Sequence, residues 1–340
     1  MQLLTLAGFL LRRAAAVLPL LLAVLMVTFM LVRLGDQDPV ALLAGPTATA
    51  TELSAVRAEL ALDRPVWEQF GLYLGRLVSG DLGRSWLSGR PVAGEILDRV
   101  PATLELLVLG VGLGALVGIP VGLASARRRN RLFDQVSRFL SLLGFSIPTY
   151  WLGLAMLLVF FYLLDWAPPG MGRLGLLHTP PPRMTGSYLL DALLAGEGEV
   201  AVSALSQLML PMLCVAIISA GPIVKQTRAV AVDVMASDYL RYGRAMGLGA
   251  GAQRAMVVRN IRVPVITFVG SELVGLVGTT SLIEYVFAWG GVGQLGLNAV
   301  VRGDFAVVQA YVLTLGLFSV LVFLTVDLLA LAFEPRSRAA

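Results

Sequence analysis

Four acidic residues lie in or at the edges of long apolar segments: Glu105, Glu272, Glu284 and Asp327. A carboxylate inside a membrane is costly, so it usually faces a pathway, a cavity or a partner. Glu105 and Asp327 lie near the ends of their segments, where the interface or basic loops are within reach, and structural roles are expected for them. Glu272 and Glu284 are less easily explained in that way. They are our candidates for lining a pathway that accepts a substrate ammonium group.

Residues for covalent chemistry are scarce. His178 is the single histidine and Cys214 the single cysteine, so no cluster with metal-ligand spacing exists and no metal site is predicted. Lys225 lies in no glycine-rich loop, and no Gly-x-x-x-x-Gly-Lys-Ser/Thr sequence that could cradle a nucleotide is present. A Gly-x-Ser-x-Gly elbow is also missing, which makes an intramembrane hydrolase the poorer interpretation. We therefore predict a chain without enzymatic activity and without a cofactor of its own.

The composition is that of a multi-pass membrane protein. Of 340 residues, 57% are hydrophobic and 14% charged, and the mean hydropathy of +0.81 is far above that of soluble proteins. Six segments have the roughly 20 apolar residues that a bilayer crossing needs. They are 14–32, 104–125, 139–164, 203–224, 265–288 and 305–333. We interpret the first as a retained anchor and predict an all-α integral membrane protein with six transmembrane helices.

Positive charge is concentrated in two loops, after the second and the fourth apolar segments. Short basic loops remain on the cytoplasmic side, which predicts that both termini are cytoplasmic. The basic residues are Arg127, Arg128, Arg129, Arg131 and Arg138 in the first loop, and Lys225, Arg228, Arg241, Arg244, Arg254, Arg259 and Arg262 in the second. The net charge of +4 then reflects topology, and no nucleic-acid partner is predicted.

The outer side of the membrane receives two polar regions. In the first, helical patterns predict short helices at 51–62 and 65–78, followed by a glycine-containing turn at 79–85. The second, 165–201, is rich in proline and glycine and is expected to be irregular, with a short helix at 188–194.

Two features of the apolar segments indicate tight helix packing. Glycines recur every fourth residue at Gly110, Gly114, Gly118 and Gly122, which permits close approach of a helix from this chain or from a partner. Prolines fall inside apolar segments at positions 19, 120, 148, 211 and 222. Kinks at these prolines are tolerated where neighbouring helices satisfy the freed carbonyl groups.

The region from Asp238 to Pro264 combines basic residues with regularly placed glycines. Ser237 is a candidate helix cap, and Gly247, Gly249 and Gly251 are candidates for a sharp turn before a second helix that returns to the membrane at Pro264. One interpretation is a solvated loop whose basic residues only set the topology. The alternative is a docking surface for a soluble motor domain, which the length of the region and its two helices favour.

These residues resemble the membrane subunits of bacterial ABC importers, in the dipeptide and oligopeptide branch. Where that superfamily has Glu-Ala-Ala, three residues and a glycine, this chain has Arg241-Tyr242-Gly243, then Arg244-Ala245-Met246, then Gly247 and Leu248. Ile261-Arg262-Val263-Pro264 closes the motif. Other blocks are similar to that branch and follow in order: 80–85, 99–106, 146–153, 284–295 and 327–336. One departure is Gly290, where the family commonly has proline.

The resemblance implies the transmembrane domain of a type I ABC importer, working by alternating access. Residues 1–98 would hold the anchor helix and an external segment, and 99–334 the transporter domain with an ATPase-coupling loop at 229–264. Implied partners are a homologous permease, two ATPase subunits that hold ATP and Mg, and an external substrate-binding protein. The implied location is the cytoplasmic membrane of a bacterium. Motor-domain contacts would be made by Arg241, Tyr242, Gly243, Arg244, Ala245, Met246, Gly247 and Leu248.

Di- and oligopeptides are the expected cargo, with glutathione, nickel or another small solute as alternatives from the same branch. A stand-alone secondary transporter is a different class of hypothesis. It would need no docking loop and would favour interrupted half-helices in inverted repeats, which we do not find in the sequence.

Overall fold

A computed structural model describes residues 19, 21–30, 40, 49–59 and 62–333. Twelve α-helices are assigned in these ranges, and a seven-residue π-helix, Leu157–Leu163, continues the sixth. The α-helices are α1 Leu21–Met30, α2 Ala50–Glu59, α3 Val66–Val78, α4 Val92–Arg127, α5 Leu132–Ser146, α6 Thr149–Met156, α7 Tyr188–Ala195, α8 Gly198–Ala236, α9 Asp238–Ala245, α10 Ala250–Val286, α11 Val292–Arg302 and α12 Phe305–Phe333. Within the described ranges the only β-type pairing is an isolated bridge between Arg84 and Pro91. The all-α prediction is confirmed.

Four of these helices, α4, α8, α10 and α12, are long and apolar enough to cross a membrane. A fifth crossing is possible if α5 and α6, with the π-helix, form one bent span. The predicted first segment, 14–32, lies partly outside the described residues, and its described part forms α1. The described residues therefore support a multi-pass membrane protein, and the count of six crossings stays a prediction.

The third predicted segment, 139–164, is not a single straight helix. The chain bends by 98° between α5 and the helix that starts at Thr149. Ile147 has extended backbone angles, φ −78° and ψ 126°, because the ring of the following Pro148 disfavours a helical conformation in the preceding residue. Here proline breaks the span, whereas Pro211, Pro222 and Pro264 remain inside continuous helices.

Two helices extend well beyond the apolar segments that predicted them. The fourth apolar segment, 203–224, lies inside α8, which continues to Ala236. The helix predicted to return to the membrane at Pro264 and the fifth apolar segment, 265–288, form one helix, α10, which runs without interruption from Ala250 to Val286. Hydropathy marks the part of a helix that lies in lipid, whereas the backbone hydrogen-bond ladder continues wherever neighbours pack against it. Each apolar segment therefore predicts a membrane crossing and not the ends of the helix that contains it.

The described chain separates into two compact units. The first comprises the described residues of Met1–Pro101 together with Gly291–Val320. In it, Phe29 of α1 packs against Phe70 and Tyr73 of α3, with ring centroids 5.3 and 5.7 Å apart. A second apolar cluster joins the start of α4 to α11 and α12, through Val92, Ile96, Ala299, Val307 and Ala310. Helix α11 was not predicted from the sequence.

Asp304 holds the turn at 79–85 of the first unit in place. Its carboxylate is buried and accepts hydrogen bonds from Ser85 Oγ at 2.5 Å and from the backbone amides of Trp86 and Leu87 at 3.2 and 3.3 Å. The same carboxylate accepts a weaker bond from the amide of Val307 at 3.4 Å, in the first turn of α12. One acidic side chain therefore joins the predicted turn to the start of the last helix.

The second unit comprises Ala102–Gly290 and the described part of Leu321–Ala340. Helix α8 is its centre and packs against α5, α6, α7, α9 and α10. Its main core includes Leu106, Leu208, Ile283 and Trp289, together with the buried Cys214. The indole nitrogen of Trp289 donates to the carbonyl of Ala102 at 2.9 Å, so the one polar atom of this large side chain is satisfied inside the core.

The glycine stripe of α4 packs within the chain, against α8. A Cβ atom added at Gly110 would lie 2.5 Å from Val215 Cβ, and one at Gly118 would lie 2.9 Å from Ile223 Cγ2. Gly114 and Gly122 meet Ser219 and Thr227 in the same register. Each glycine thus faces a residue on α8 that also recurs every fourth position, and the two backbones approach as closely as the missing side chains allow.

Asp191 organises the turn before α7, in the second region that was predicted to be external. It accepts hydrogen bonds from the amides of Met184, Thr185 and Gly186 and from Thr185 Oγ, at 2.7 to 3.2 Å. Burial by itself would raise the pKa of this carboxyl, but these hydrogen bonds outweigh burial and hold the pKa below its ordinary value. The predicted short helix at 188–194 is confirmed as α7, Tyr188–Ala195.

Candidate functional site

The predicted coupling residues lie on α9 and on the turn that joins it to α10. Ser237 precedes α9 with extended angles, φ −67° and ψ 150°. Its hydroxyl does not cap α9, because it donates to the carbonyl of Val234 at 2.6 Å at the end of α8. The predicted cap was therefore wrong in its chemistry. Ser237 still marks the boundary, since its carbonyl accepts the first helical bond from Arg241 at 3.1 Å.

Leu240 anchors α9 to the transmembrane helices. Its side chain is 1% exposed and belongs to a cluster with Ala231 of α8 and Val257 and Ile261 of α10. Gly243, one turn later, is also buried, and a Cβ atom there would lie 2.8 Å from Leu248 Cδ1. Because α9 has only eight residues, this single leucine supplies most of its attachment to the bundle.

The opposite face of α9 is exposed and chemically mixed. Tyr242 and Met246 are each 67% exposed, and Arg241 and Arg244 are exposed beside them. Arg241 forms a solvent-exposed ion pair with Asp238 at 3.5 Å, and Arg244 donates to the carbonyl of Met235 at 3.0 Å. Arginine, tyrosine and methionine are enriched where proteins dock, because all three offer a large contact area and arginine adds a charge. The face is suited to binding and has no arrangement for catalysis.

The turn after α9 depends on Gly247. Its φ is +80°, a left-handed conformation that residues with a Cβ adopt only at a cost. This conformation lets the amide of Gly247 bond to Arg244 O and the amide of Leu248 bond to Gly243 O, both at 3.0 Å. Gly249 and Gly251 do not have positive φ, so the prediction that all three glycines form the turn is wrong for two of them. The side chain of Gln253 closes the turn by donating to the carbonyl of Leu248 at 2.7 Å.

The two pathway candidates lie on α10 in different surroundings. Glu284 is fully buried and accepts a hydrogen bond from Thr103 of α4 at 2.6 Å. Glu272 is half-buried, and no hydrogen bond or ion pair joins it to any other described residue. Twelve helical residues separate them, about 18 Å along the axis. The structure therefore does not bring the two carboxylates together, and only Glu272 has the exposure that a ligand requires.

Glu105 has the kind of contact expected for a structural residue. It accepts hydrogen bonds from Ser187 Oγ at 2.6 Å and from the amide of Leu189 at 3.3 Å. Ser187 is the N-cap of α7, so this carboxylate links α4 to α7. Asp327 is half-buried on α12. Within the described residues no three His, Cys, Asp or Glu side chains are placed so that they could hold a metal ion.

A buried ion pair was missed by the sequence reasoning. Asp134 on α5 is fully buried and binds the guanidinium of Arg228 on α8, with Oδ1 2.5 Å from Nε and Oδ2 2.7 Å from Nη2. Ser125 Oγ donates to the same carboxylate at 2.5 Å, and the amide of Asn130 at 2.9 Å. Arg228 was interpreted only as a topological charge. An acidic residue close after the arginine-rich segment 127–131 was the available signal.

Comparison with known proteins covers nearly the whole chain. A family model described as the inner membrane component of binding-protein-dependent transport systems matches residues 118–339, and the model of the corresponding N-terminal region matches residues 6–107. The chain is 40% identical over 314 residues to the probable D,D-dipeptide transport system permease protein of Escherichia coli strain K12, covering 92% of each. It is 36% identical to the dipeptide transport system permease protein of the same strain, covering 97% of this chain and 98% of that relative. Identity to a glutathione transport system permease protein of Shigella boydii is 32%, over 97% and 99% of the two chains.

Proposed function

Because this chain belongs to the family of inner membrane components of binding-protein-dependent transport systems, we propose that it is the permease subunit of an ATP-driven importer of short peptides. The observation that carries the proposal is α9, a short helix with a buried anchor at Leu240 and an exposed face of arginine, tyrosine and methionine. The chain has no P-loop of its own. Energy must therefore reach it through a docked partner, and α9 is the element built to receive one.

The partners in this proposal are two ATPase subunits, a homologous permease and an external substrate-binding protein. The seat for an ATPase subunit is the surface formed by Arg241, Tyr242, Arg244, Met246 and the turn at Gly247. Room for a second permease is supported by the large apolar side chains that this chain leaves exposed on α5, such as Leu132 at 76% and Phe145 at 70%. Lipid covers what the second permease does not. We propose that both termini are cytoplasmic, and the distribution of arginine in the sequence supports this orientation.

Movement passes from the motor to the membrane by a short physical route. ATP binding draws the ATPase subunits together, and α9 moves with the groove in which it is seated. Leu240 passes that movement to α8 and α10, which it contacts through Ala231, Val257 and Ile261. Since α8 and α10 are each continuous from the loop into the membrane, a displacement at their cytoplasmic ends changes the packing along the pathway. No covalent bond is formed or broken in this chain.

The proposed cargo is a dipeptide or short oligopeptide, supported by relatives whose names specify dipeptide transport. Glu272 is the proposed contact for the peptide ammonium, because it is half-buried inside α10 and has no partner within the described part of the chain. Glu284 is proposed as a second pathway residue only in a conformation that releases Thr103, to which it is bonded here. Glutathione is the second candidate cargo, since a named glutathione permease also aligns over nearly the whole chain.

Purification from native membranes followed by reconstitution tests the proposal. We expect two ATPase subunits and one homologous permease to co-purify, and the liposomes to accumulate a labelled dipeptide only with ATP inside and binding protein outside. Glutathione and nickel are added as competitors to rank the alternative cargoes. A chain that purifies alone and transports without ATP would contradict the importer proposal. If the liposomes accumulate glutathione but not dipeptide, glutathione becomes the proposed cargo and the proposal of an ATP-driven importer still stands.

A further inference from the structure

The buried ion pair between Asp134 and Arg228 lies beside the anchor of α9. Ser125 at the end of α4 donates to Asp134, and the next residue, Ala126, belongs to the cluster that receives Leu240. On α8, Arg228 binds Asp134, and Ala231, less than one turn further along, belongs to that same cluster. The ion pair and the Leu240 cluster therefore use neighbouring residues at the end of α4 and in the last third of α8. A displacement of α9 that reaches α8 at Ala231 therefore acts within one turn of the ion pair.

The contacts of Asp134 are those of a rigid joint. Two guanidinium nitrogens, one hydroxyl and one amide converge on a carboxylate whose side chain is only 1% exposed. The bidentate geometry fixes the orientation of both partners as well as their separation. The amide donor, Asn130, has a left-handed φ of +62°, which its bond to Asp134 helps to hold. The connection between α4 and α5 is thus constrained at the point where α8 passes it.

Beyond the ion pair, α5 lies tightly along α8. A Cβ atom added at Gly221 would be 2.6 Å from Ser141 O, and one at Gly144 would be 3.3 Å from Ile217 O. Next comes the 98° bend, and then α6, where Gly153 faces Val286 of α10. Movement of α5 consequently reaches the same helix that carries Glu272 and Glu284.

We propose that the Asp134–Arg228 ion pair is a positioning link, which makes α5 and the bent segment after it follow α8 when the docked motor moves α9. The inference rests on the proposed function, since it assigns to these residues a part in transmitting the movement of the motor. Neither residue contacts cargo or nucleotide. Replacing a buried charge pair by neutral residues of similar size is often neutral for stability, whereas removing one partner leaves the other charge buried and unpaired, which is destabilising. A double variant that is as stable as wild type but transports poorly therefore has a defect in transmission and not in folding.

The test uses the complete complex in liposomes with four chains: wild type, Asp134→Asn, the double variant Asp134→Asn with Arg228→Met, and Arg64→Gln as a control. Arg64 belongs to an exposed external ion pair with Glu68 at 3.8 Å. Dipeptide transported per ATP hydrolysed is expected to fall about tenfold in both Asp134 variants, the effect of losing hydrogen bonds to a charged group. The double variant is expected to unfold at the wild-type temperature, and Arg64→Gln is expected to match wild type in every respect.

A second readout does not depend on the cargo. Hydrogen exchange of α5 amides is compared in nucleotide-free and vanadate-trapped complexes, where wild type is expected to show a nucleotide-dependent change and the double variant none. A double variant with wild-type stability, wild-type exchange and a wild-type transport ratio would overturn the link and leave the proposed function standing. A wild-type complex that hydrolyses no ATP would overturn both. If the complex transports a different cargo and the double variant still lacks the nucleotide-dependent change in α5 exchange, the result supports the link.

Discussion

Replacement of Gly247 by alanine is expected to loosen the turn between α9 and α10 by a predictable amount. The cost comes from the backbone, because φ at this residue is +80° and no atom lies within 4 Å of the added Cβ. A residue with a Cβ in the left-handed region costs about 1–2 kcal/mol. The turn holds the two capping bonds of α9, Gly247 N to Arg244 O and Leu248 N to Gly243 O. Those amides should then exchange about 5–30 times faster than in wild type.

Hydrogen exchange of the purified chain in lipid nanodiscs measures this effect directly, on peptides that cover 243–249. Gly251→Ala is the matched control, because Gly251 lies in the first turn of α10 without a positive φ and also has nothing within 4 Å of an added Cβ. There alanine should stabilise the helix by about 0.5–1 kcal/mol. Gly247→Asn should fall between wild type and Gly247→Ala, because asparagine tolerates the left-handed conformation.

Equal exchange in Gly247→Ala and wild type would refute the reasoning, since the turn would then not depend on the left-handed backbone. Equal effects of Gly247→Asn and Gly247→Ala would also count against it. In the assembled importer, the same loosening should lower ATP hydrolysis stimulated by the loaded binding protein. A bulky side chain at this position, such as leucine, acts through the same backbone cost and not through crowding, because the space around Gly247 is open.

Three further outcomes are expected. Gly118→Leu should destabilise the chain by about 1–3 kcal/mol or more, because even a Cβ atom would lie 2.9 Å from Ile223 Cγ2. Gly112→Leu on the same helix is the control, because its side chain would enter open space. Thermal unfolding in detergent compares the stability of the two variants. The amide protection factors of the turn at 184–187, which correct for the intrinsic pH dependence of exchange, should stay high above the ordinary aspartate pKa of 3.8 and fall as the pH drops through the lowered pKa of Asp191. Asp191→Asn should have low protection factors at about pH 7 and about pH 3 alike, and high protection in that variant would contradict the assignment. Glu272→Gln should raise the KM for dipeptide transport about tenfold, as expected for loss of a charge-assisted hydrogen bond. The unfolding temperature should not fall. An unchanged KM would show that Glu272 does not contact the dipeptide.

Local patterns predicted the elements of this fold better than their ends. The external helices and α7 were found from helical periodicity, and α12 from its uninterrupted apolar run, because these signals lie within one element. Pro148 was expected to kink a span and instead breaks it, while Pro264 lies inside the continuous helix α10. The same residue type gives opposite results because neighbouring helices decide whether the freed carbonyl groups are satisfied.

Pairing between distant residues was not available from the sequence. The recurrence of glycine in α4 indicated a close helix neighbour, but that neighbour, the Val215 to Thr227 face of α8, is about a hundred residues away along the chain. Asp134 and Arg228 are separated by 94 residues, and each resembles an ordinary loop charge until the fold joins them. Leu240 likewise resembles any apolar residue of a short amphipathic helix until its burial among α8 and α10 is seen.

The sequence by itself determined that this chain is an all-helical membrane protein, which of its loops are basic and where the glycine of the turn between α9 and α10 lies. These properties depend on residues that are close together along the chain, so they can be predicted from the order of the residues alone. Tertiary structure alone decided that Gly247 matters for its backbone angle and that a buried ion pair lies beside the anchor of α9. It also decided that Glu284 is bonded to Thr103, while Glu272 has no such partner among the residues that the structure describes. Those properties depend on which distant side chains share the same space, and only packing of the helices brings them together.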